Sequence, residues 1–507
     1  MHALLKMITG TFCSRISGFL RDILLFSMLG ASMETSAFLI AFAIPNLFRR
    51  LCGEGALSAA FIPVFSKRYA QHPITAAKFL NIFFSKFGVY LGVSTVCVGI
   101  FLRLLMRGIS CSKWHVVCEL TTLMLPYLWF ICTAALLNGA LNVLNAFAIT
   151  AFSPILLNLS MILGIACCGL YSTPMQWVMV LSLSVVIGGF FQWILPKGQL
   201  KRKGYPFSWC WEPDEGFTEV WHLFVPSILG VAIYQINALC GRLFAYAIDP
   251  TSVSFLYLAN RFLELPLGLF AFSIISILLP KLSLSIAQKD AQHTHQLLHN
   301  HIQLLQLLLI PSAIGLACLA SPILNVFFCW NRFASQSVEQ VVPLLRIFTI
   351  GLPLFGLTAL FARIFYAHHE AMIPVKISFF TFIVYLISAL GLSHFFQVPG
   401  LVWASVVSNG LQLWLQIRSI QHQYPNLKVS YRSLLQVPWI SNILLGVFLV
   451  FVNRQIPWAY DKLHDTLYLG GVISVSLLIY GLGLLTLERK YFALLQPLWN
   501  RYLQKKR

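Results

Sequence analysis

Apolar runs of bilayer-crossing length, separated by short connectors, fill the 507-residue chain. A helix needs roughly 20 mainly apolar residues to cross the hydrocarbon core of a membrane. By that measure the pattern predicts about fourteen spans, at 4–29, 35–68, 76–105, 115–147, 151–171, 174–196, 217–247, 252–286, 293–320, 336–367, 372–395, 399–421, 431–453 and 466–487. Several exceed the minimum, which predicts tilting, kinking or extension into water. An even number of crossings puts both termini on one side. The connectors at 30–34, 171–176, 249–252 and 393–400 contain no Lys or Arg, whereas those at 66–72, 197–203 and 280–290 and the C-terminus are basic. Arg103, Arg107, Lys113, Arg332, Arg454 and Lys462 run against this trend. The balance of Lys and Arg predicts cytoplasmic termini.

The pattern also repeats. An offset of 217 residues places AFLIAFA (37–43) on SFLYLAN (254–260) and FIPVFSKRYA (61–70) on ILPKLSLSIA (278–287). Phe38 then meets Phe255, Pro63 meets Pro280, Ser66 meets Ser283 and Ala70 meets Ala287. The expected organisation is two six-helix bundles related by a pseudo-twofold, at 1–200 and 215–425, two extra transmembrane helices within 431–487, and a basic cytoplasmic tail at 488–507. Parallel repeats of this kind place a substrate site between the halves near the midplane. The tail mixes aromatic and basic residues, and reads either as an interfacial segment against anionic lipid or as an ordinary basic tail.

Composition sharpens the class. The chain is 58% hydrophobic and 10% charged, with mean hydropathy +0.78. Soluble chains carry about 25% charged residues, so most of this surface faces lipid and the fold class is an all-α polytopic membrane protein. The formal net charge of +19 does not indicate a nucleic-acid binder, because the Lys and Arg residues punctuate apolar segments rather than gathering on one patch. The twelve cysteines show no CxxC pair or Cys/His ligand spacing, and Cys167 and Cys168 read as small packing residues. Arg15 and Arg21 interrupt what would be the apolar region of a signal peptide, so the N-terminus is expected to stay as a first helix.

Charges inside spans are rare and face a cavity or a partner. The first half concentrates them: SRISGFLRD supplies Ser14, Arg15, Arg21 and Asp22, and PNLFRRLCGEG supplies Arg49, Arg50 and Glu54. In the second half NRFLELP supplies Asn260, Arg261 and Glu264. Arg15 and Arg21 are six apart, which puts them about 120° apart on an ideal helix. To face one cavity the helix must bend or unwind, and Gly18 offers the place. Pro45 and the Gly53–Gly55 pair are expected to loosen the second span in the same way. Each charge also has a structural reading. Arg21 with Asp22 is placed to anchor a helix end. Arg50 is spaced to pair with Glu54 at i,i+4, and Arg261 with Glu264 at i,i+3. Arg15 has no acid at either spacing. The 217-residue offset puts Ala232, Ala238 and Pro266 opposite Arg15, Arg21 and Arg49, so the basic cluster is one-sided. Guanidinium groups suit bidentate binding of phosphate or carboxylate, which points to an anionic substrate.

No P-loop, HExxH or GxSxG motif is present, so a transporter without catalytic residues or cofactor is expected rather than an enzyme. His293, His295, His299 and His301 in DAQHTHQLLHNH lack a reinforcing carboxylate and read as a solvated helix start, with no metal expected.

SRISGFLRD, AFAIPNLFRRLCGEGALSAAFIPVF, NRFLELPLGLFAFSIISILLPKLS and ARIFYAHHEAMIPV (362–375) resemble the MurJ/MviN family of bacterial flippases for the lipid-linked peptidoglycan precursor, lipid II. The resemblance runs along nearly the whole chain. It implies the fold of the multidrug/oligosaccharidyl-lipid/polysaccharide exporter superfamily, with two rocking six-helix bundles and two C-terminal helices forming a groove for the lipid tail. It implies inner-membrane location, lipid II and membrane lipids as partners, and contact with the cell-wall synthesis machinery. It carries substrate binding onto Arg15, Arg21, Arg49 and Arg261, with Ser14, Asp22, Arg50, Glu54, Asn260 and Glu264 in supporting places. Two departures stand out. Where many relatives have Asp in a TDAF tetrad, this chain has Ser36, and Glu34 lies two positions earlier on another face. Where relatives have Asp before the second-half arginine, it has Asn260. Spans 372–395 and 399–421 contain no Asp or Glu, which weakens a sodium site of the kind some members use. The expected activity is lipid II translocation by alternating access. The alternatives are another exporter of the superfamily, for a lipid-linked oligosaccharide or a drug cation, and a non-transporting scaffold.

Overall fold

The computed structural model describes residues 2–53, 56–108, 111–427, 429, 431–434, 436–456, 458 and 461–494. Glu54, Gly55 and the tail from 495 onward lie outside them. The described residues are mostly helical, beginning with α1 (His2–Leu29), α2 (Met33–Gly53), α3 (Ala56–Gln71), α4 (Pro73–Gly108), α5 (Ser112–Val143), α6 (Phe147–Cys168), α7 (Pro174–Arg202), α8 (Glu215–Ile248) and α9 (Ser252–Pro266). A π-helical turn, Leu267–Ala271, leads into α10 (Phe272–Ala287). Then follow α11 (Ala291–Cys318), α12 (Ala320–Phe328), α13 (Ser335–Ala367), α14 (Met372–Gln423), α15 (Tyr431–Leu434), α16 (Trp439–Gln455), α17 (Lys462–Thr486) and α18 (Arg489–Phe492).

Each apolar segment expected from the sequence overlaps helix, and the fold is an all-α polytopic membrane protein. Among the described residues, nine helical stretches have the length and hydropathy to cross a membrane: α4, α5, α6, α7, α9 through α10, α11, α13, α14 and α17. The shorter α16 is also apolar. Sequence chemistry marks several ends. Thr173 and Gln176 form a reciprocal capping box at the start of α7, and Asp290 accepts the His293 amide at the start of α11. The spans expected at 372–395 and 399–421 form one kinked stretch within α14. Gln397 there takes φ 51°, ψ −128°, a left-handed backbone uncommon outside glycine. Gly400 follows because a Cβ at that position would run into the Leu392 carbonyl.

Backbone contacts divide the chain into two compact units, Met1–Ser254 with Trp330–Phe333, and Phe255–Cys329 with Ala334–Arg507. In the first, α1 packs on α6, α6 on α7, and α5 on α2, α4 and α7, while α8 lies against α2 and α3. Its core is aromatic, with Phe61 within 5.3–5.7 Å of Phe65, Phe79 and Phe83. Residues 330–333 belong here: Arg332 donates its amide to Ser27 and stacks its guanidinium over Trp177. Gly30, at φ +65°, clears the Arg332 carbonyl that a Cβ would meet at 2.8 Å. In the second unit α13 packs on α11, α12 and α14, with an aliphatic core around Leu360, Phe361 and Ile364, and α16 and α17 pair beside α11 and α12. The described start of the tail is held in that unit. Glu488 accepts from the Ser441 amide and hydroxyl, and Tyr491 is buried with Leu307 and Leu484.

The connector from α7 to α8 runs along α4. Asn81 bonds the Pro206 carbonyl and the Ser208 hydroxyl, and the Cys210 amide donates to Ser85. Phe207 packs edge-on against Phe84 at 4.8 Å. Asp214 pairs with Arg68 at 2.7 Å and Glu212 pairs with Lys78. This strap was not anticipated from the sequence.

Candidate functional site

The expected charged residues of the first unit, apart from Glu54, sit on α1 and α2, two helices joined by a turn of three residues, Gly30–Ser32. At 1.5 Å per residue, Arg21 and Phe42 lie about 12–14 Å from that turn, and Arg15 and Arg49 about 21–24 Å from it. The shared level of the first two is visible directly, since the Arg21 guanidinium lies over the Phe42 ring at 6.0 Å. Arg49 is seven residues beyond Phe42, two turns along the same face of α2.

Arg21 is 8% exposed and Asp22 is 1% exposed. Asp22 Oδ1 accepts from Arg21 Nη2 at 2.6 Å and from Nε at 3.1 Å. Arg21 Nη1 donates to Asn158 Oδ1 at 3.1 Å and lies 3.7 Å from Met161 Sδ. Asn158 in turn donates Nδ2 to the Ser17 hydroxyl at 2.9 Å and to the Ser14 carbonyl at 3.2 Å. One amide on α6 therefore ties three turns of α1, because Ser14, Ser17 and Arg21 recur at i, i+3 and i+7. The Ser14 contribution is its backbone oxygen. Arg21 and Asp22 form a buried lock, and removing one member of such a pair leaves an uncompensated charge.

Arg15 stands differently. It is exposed, with no hydrogen bond or ion pair among the described residues, and Phe12 and Ile16 beside it are also exposed. α1 runs uninterrupted through Gly18, so the expected unwinding there does not occur and the two arginines keep separate faces. α2 likewise continues through Pro45 and ends at Gly53. Arg49 is partly buried and donates Nε to Asn46 Oδ1 at 2.7 Å, which orients the guanidinium plane. Arg50 is partly buried, and its expected partner Glu54 lies outside the described residues.

In the second unit Arg261 lies 3.7 Å from Glu264, with side-chain exposures of 24% and 42%. Asn260 donates to the other Glu264 oxygen at 3.2 Å, so one carboxylate organises both residues across a single turn before the π turn. The i,i+3 pair expected from the sequence is present.

Ser36 makes neutral bonds in place of a charge. Its hydroxyl lies 2.9 Å from Ser254 Oγ and donates to the Thr251 carbonyl at 3.1 Å, with Ser36 and Ser254 both fully buried. Sequence reasoning missed this pairing, as it missed Asn158, Asn46 and Tyr127. Tyr127 is wholly buried, stacks on Phe42 at 6.3 Å, and has no hydrogen-bond partner for its hydroxyl among the described residues. An Asn or Tyr within an apolar helix is itself a signal, because a buried polar group needs a partner. His295 and His299 stack as parallel rings 6.2 Å apart, and no group of three or more His, Cys, Asp or Glu that could hold a metal ion occurs among the described residues.

Comparison with known proteins gives these features a lineage. The chain is 31% identical over 461 residues to the probable lipid II flippase MurJ of Bdellovibrio bacteriovorus, covering 88% of this chain and 86% of that protein. It is 29% identical over 491 residues to the probable lipid II flippase MurJ of Vibrio cholerae, covering 93% of each. Its fold matches the solved structure of lipid II flippase MurJ in an inward closed conformation at TM-score 0.79 and 22% identity, over 96% of this chain and 99% of the other. An inward-facing multidrug resistance MATE family transporter of the MOP superfamily matches at TM-score 0.68 and 14% identity, over 84% and 99%. At those identities the two structures bear on the fold alone. The family described as "Lipid II flippase MurJ" matches residues 25–469. With that match spanning both compact units, the chain belongs to the MurJ family of lipid II flippases.

Proposed function

We propose that this protein translocates lipid II from the cytoplasmic to the periplasmic leaflet of the bacterial inner membrane by alternating access, supplying the precursor for peptidoglycan synthesis. The carrying observation is Arg15, an exposed guanidinium on an apolar helix with no acid partner among the described residues, together with the oriented Arg49 on α2. A cation kept there at a desolvation cost calls for an anionic ligand, and a pyrophosphate presents oxygens that two guanidinium groups bind bidentately. In the second unit Arg261, in a partly open pair with Glu264, is another guanidinium suited to phosphate. Arg21 and Asp22 hold α1 against α6 and shape the wall. The polyprenyl chain stays in lipid. A drug cation would call for carboxylates where this chain presents arginines.

Both termini are cytoplasmic in this reading, because the connectors on that side carry the excess of Lys and Arg. Bound charge that moves through the field couples transport to membrane potential, each unit being worth about 2.3 kcal/mol per 100 mV. No covalent step is needed.

The test is complementation of cells depleted of their own lipid II flippase. The wild-type chain is expected to rescue growth, and Arg15→Ala and Arg49→Ala to lose rescue at normal membrane abundance. Full rescue by both variants overturns the arginine assignment, and failure of the wild type in a membrane where it is abundant overturns the substrate.

A further inference from the structure

We propose that the strap between α7 and α8 is a binding site for the headgroups of anionic phospholipids. The inference begins with α4, whose 36 residues make a helix about 54 Å long, well over a bilayer core of roughly 30 Å. Its two ends differ. Buried positions run from Ala76 to Gly88 and stop there. From Val89 onward Tyr90, Val93, Val96, Ile100, Phe101 and Leu104 are all exposed, an apolar surface that only lipid can cover. From Tyr90 to Arg107 this stretch is about 25 Å long, so Tyr90 marks one membrane interface.

The strap climbs α4 to that level. It bonds Asn81, then Ser85, and sets Trp211 edge-on to Tyr90 at 6.1 Å before turning back through Glu212 to Lys78. Trp209 and Trp211 are 69% and 55% exposed, an arrangement without purpose in water but ordinary at a headgroup layer, where the indole ring is apolar and its N–H wet.

Charge then selects the lipid. Over residues 65–86 and 197–219, eight Lys and Arg face four Asp and Glu. Two of those acids are already used, by Arg68 and Lys78. Lys197 lies over the rings of Trp193 at 4.4 Å and Phe207 at 5.1 Å, and Lys86 lies over Phe217 at 5.1 Å. Neither ammonium has an ion pair among the described residues. Each is held on an aromatic platform beside the strap, one toward α7 and one toward α8, where a phosphodiester can reach it. A basic residue near an anionic leaflet is drawn to it, and zwitterionic headgroups offer no comparable net attraction. The site is independent of the substrate reading above.

The test uses the purified full chain in phosphatidylcholine vesicles containing a minor fraction of phosphatidylglycerol, with bromine placed near the headgroup of one lipid or the other. Bromine quenches tryptophan on contact, and the difference between wild type and Trp209→Phe/Trp211→Phe isolates the strap signal. That signal is expected to be quenched severalfold more by brominated phosphatidylglycerol at equal mole fraction. Lys86→Gln/Lys197→Gln is expected to abolish the preference, and Lys86→Arg/Lys197→Arg to keep it. Should the glutamine variant fail to fold, added salt is expected to erase the preference in the wild type. Equal quenching by the two lipids, absence of a strap signal, or a preference indifferent to salt overturns the proposal.

Discussion

The arginine-bearing turns of the two units handle the same chemistry in opposite ways. On α1, Arg21 and Asp22 are sequence neighbours buried with side-chain exposures of 10% and 2%, and a second helix contributes Asn158 to complete the set. On α9, Arg261 and Glu264 sit one helical turn apart at 3.7 Å with side-chain exposures of 24% and 42%, and are organised locally by Asn260. The first pair couples elements and depends on being complete. The second is a more open, local pair that ties no second helix through the bonds described. A guanidinium in an apolar helix is therefore not evidence of a binding role until its burial and partners are known, and by that measure Arg15 and Arg49 differ from Arg21.

The contrast can be broken most directly at Asp22. Asp22→Ala removes the carboxylate beside a buried guanidinium, and is expected to lower stability by about 3–5 kcal/mol, read as a lower thermal unfolding midpoint in detergent. Arg21→Met/Asp22→Ala is expected to recover much of that loss, because no buried charge remains. Next in size is Asn158→Ala, which strands the partners on α1 and is expected to cost about 1–3 kcal/mol. The same measurement on Glu264→Ala is expected to show a loss of about 1 kcal/mol or less. Equal losses at Asp22 and Glu264 would erase the distinction between the two units.

The smallest effect is at the strap. Its hydrogen bond and ion pair with Lys78 hold the Glu212 carboxyl below the usual range. The sign follows: a carboxylate depressed in the folded state stabilises the strap above its ordinary pKa, and that contribution is lost as pH falls through the depressed value. Protection of the 206–214 amides relative to intrinsic exchange is expected to fall slightly on acidification below the ordinary glutamate range, and Glu212→Gln is expected to remove that response.

Local pattern made much of this legible. Apolar run length located the spans, and the i,i+3 spacing of Arg261 and Glu264 gave their pairing. Spacing also set Arg15 and Arg21 on different faces, and α1 runs as one helix through Gly18, so no unwinding there reunites them. What stayed hidden was non-local. Asn158 lies 137 residues from Arg21, and no helical periodicity connects them. The partner of Ser36 is 218 residues away at Ser254. The strap looked like a polar loop because its bonds to Asn81 and Ser85 exist only once α4 has formed.

The kink at Gln397 bears on how the chain is made. Between Lys376 and Arg418 there is no Asp, Glu, Lys or Arg, and the bend brings Gly400 back against Leu392. Two apolar helices joined so tightly can leave the ribosome-bound translocation machinery as a single hairpin, with no charged loop to thread across the bilayer. Lys376 and Arg418, at its two open ends, are the charges that a positive-inside bias would hold on the side of synthesis during biogenesis.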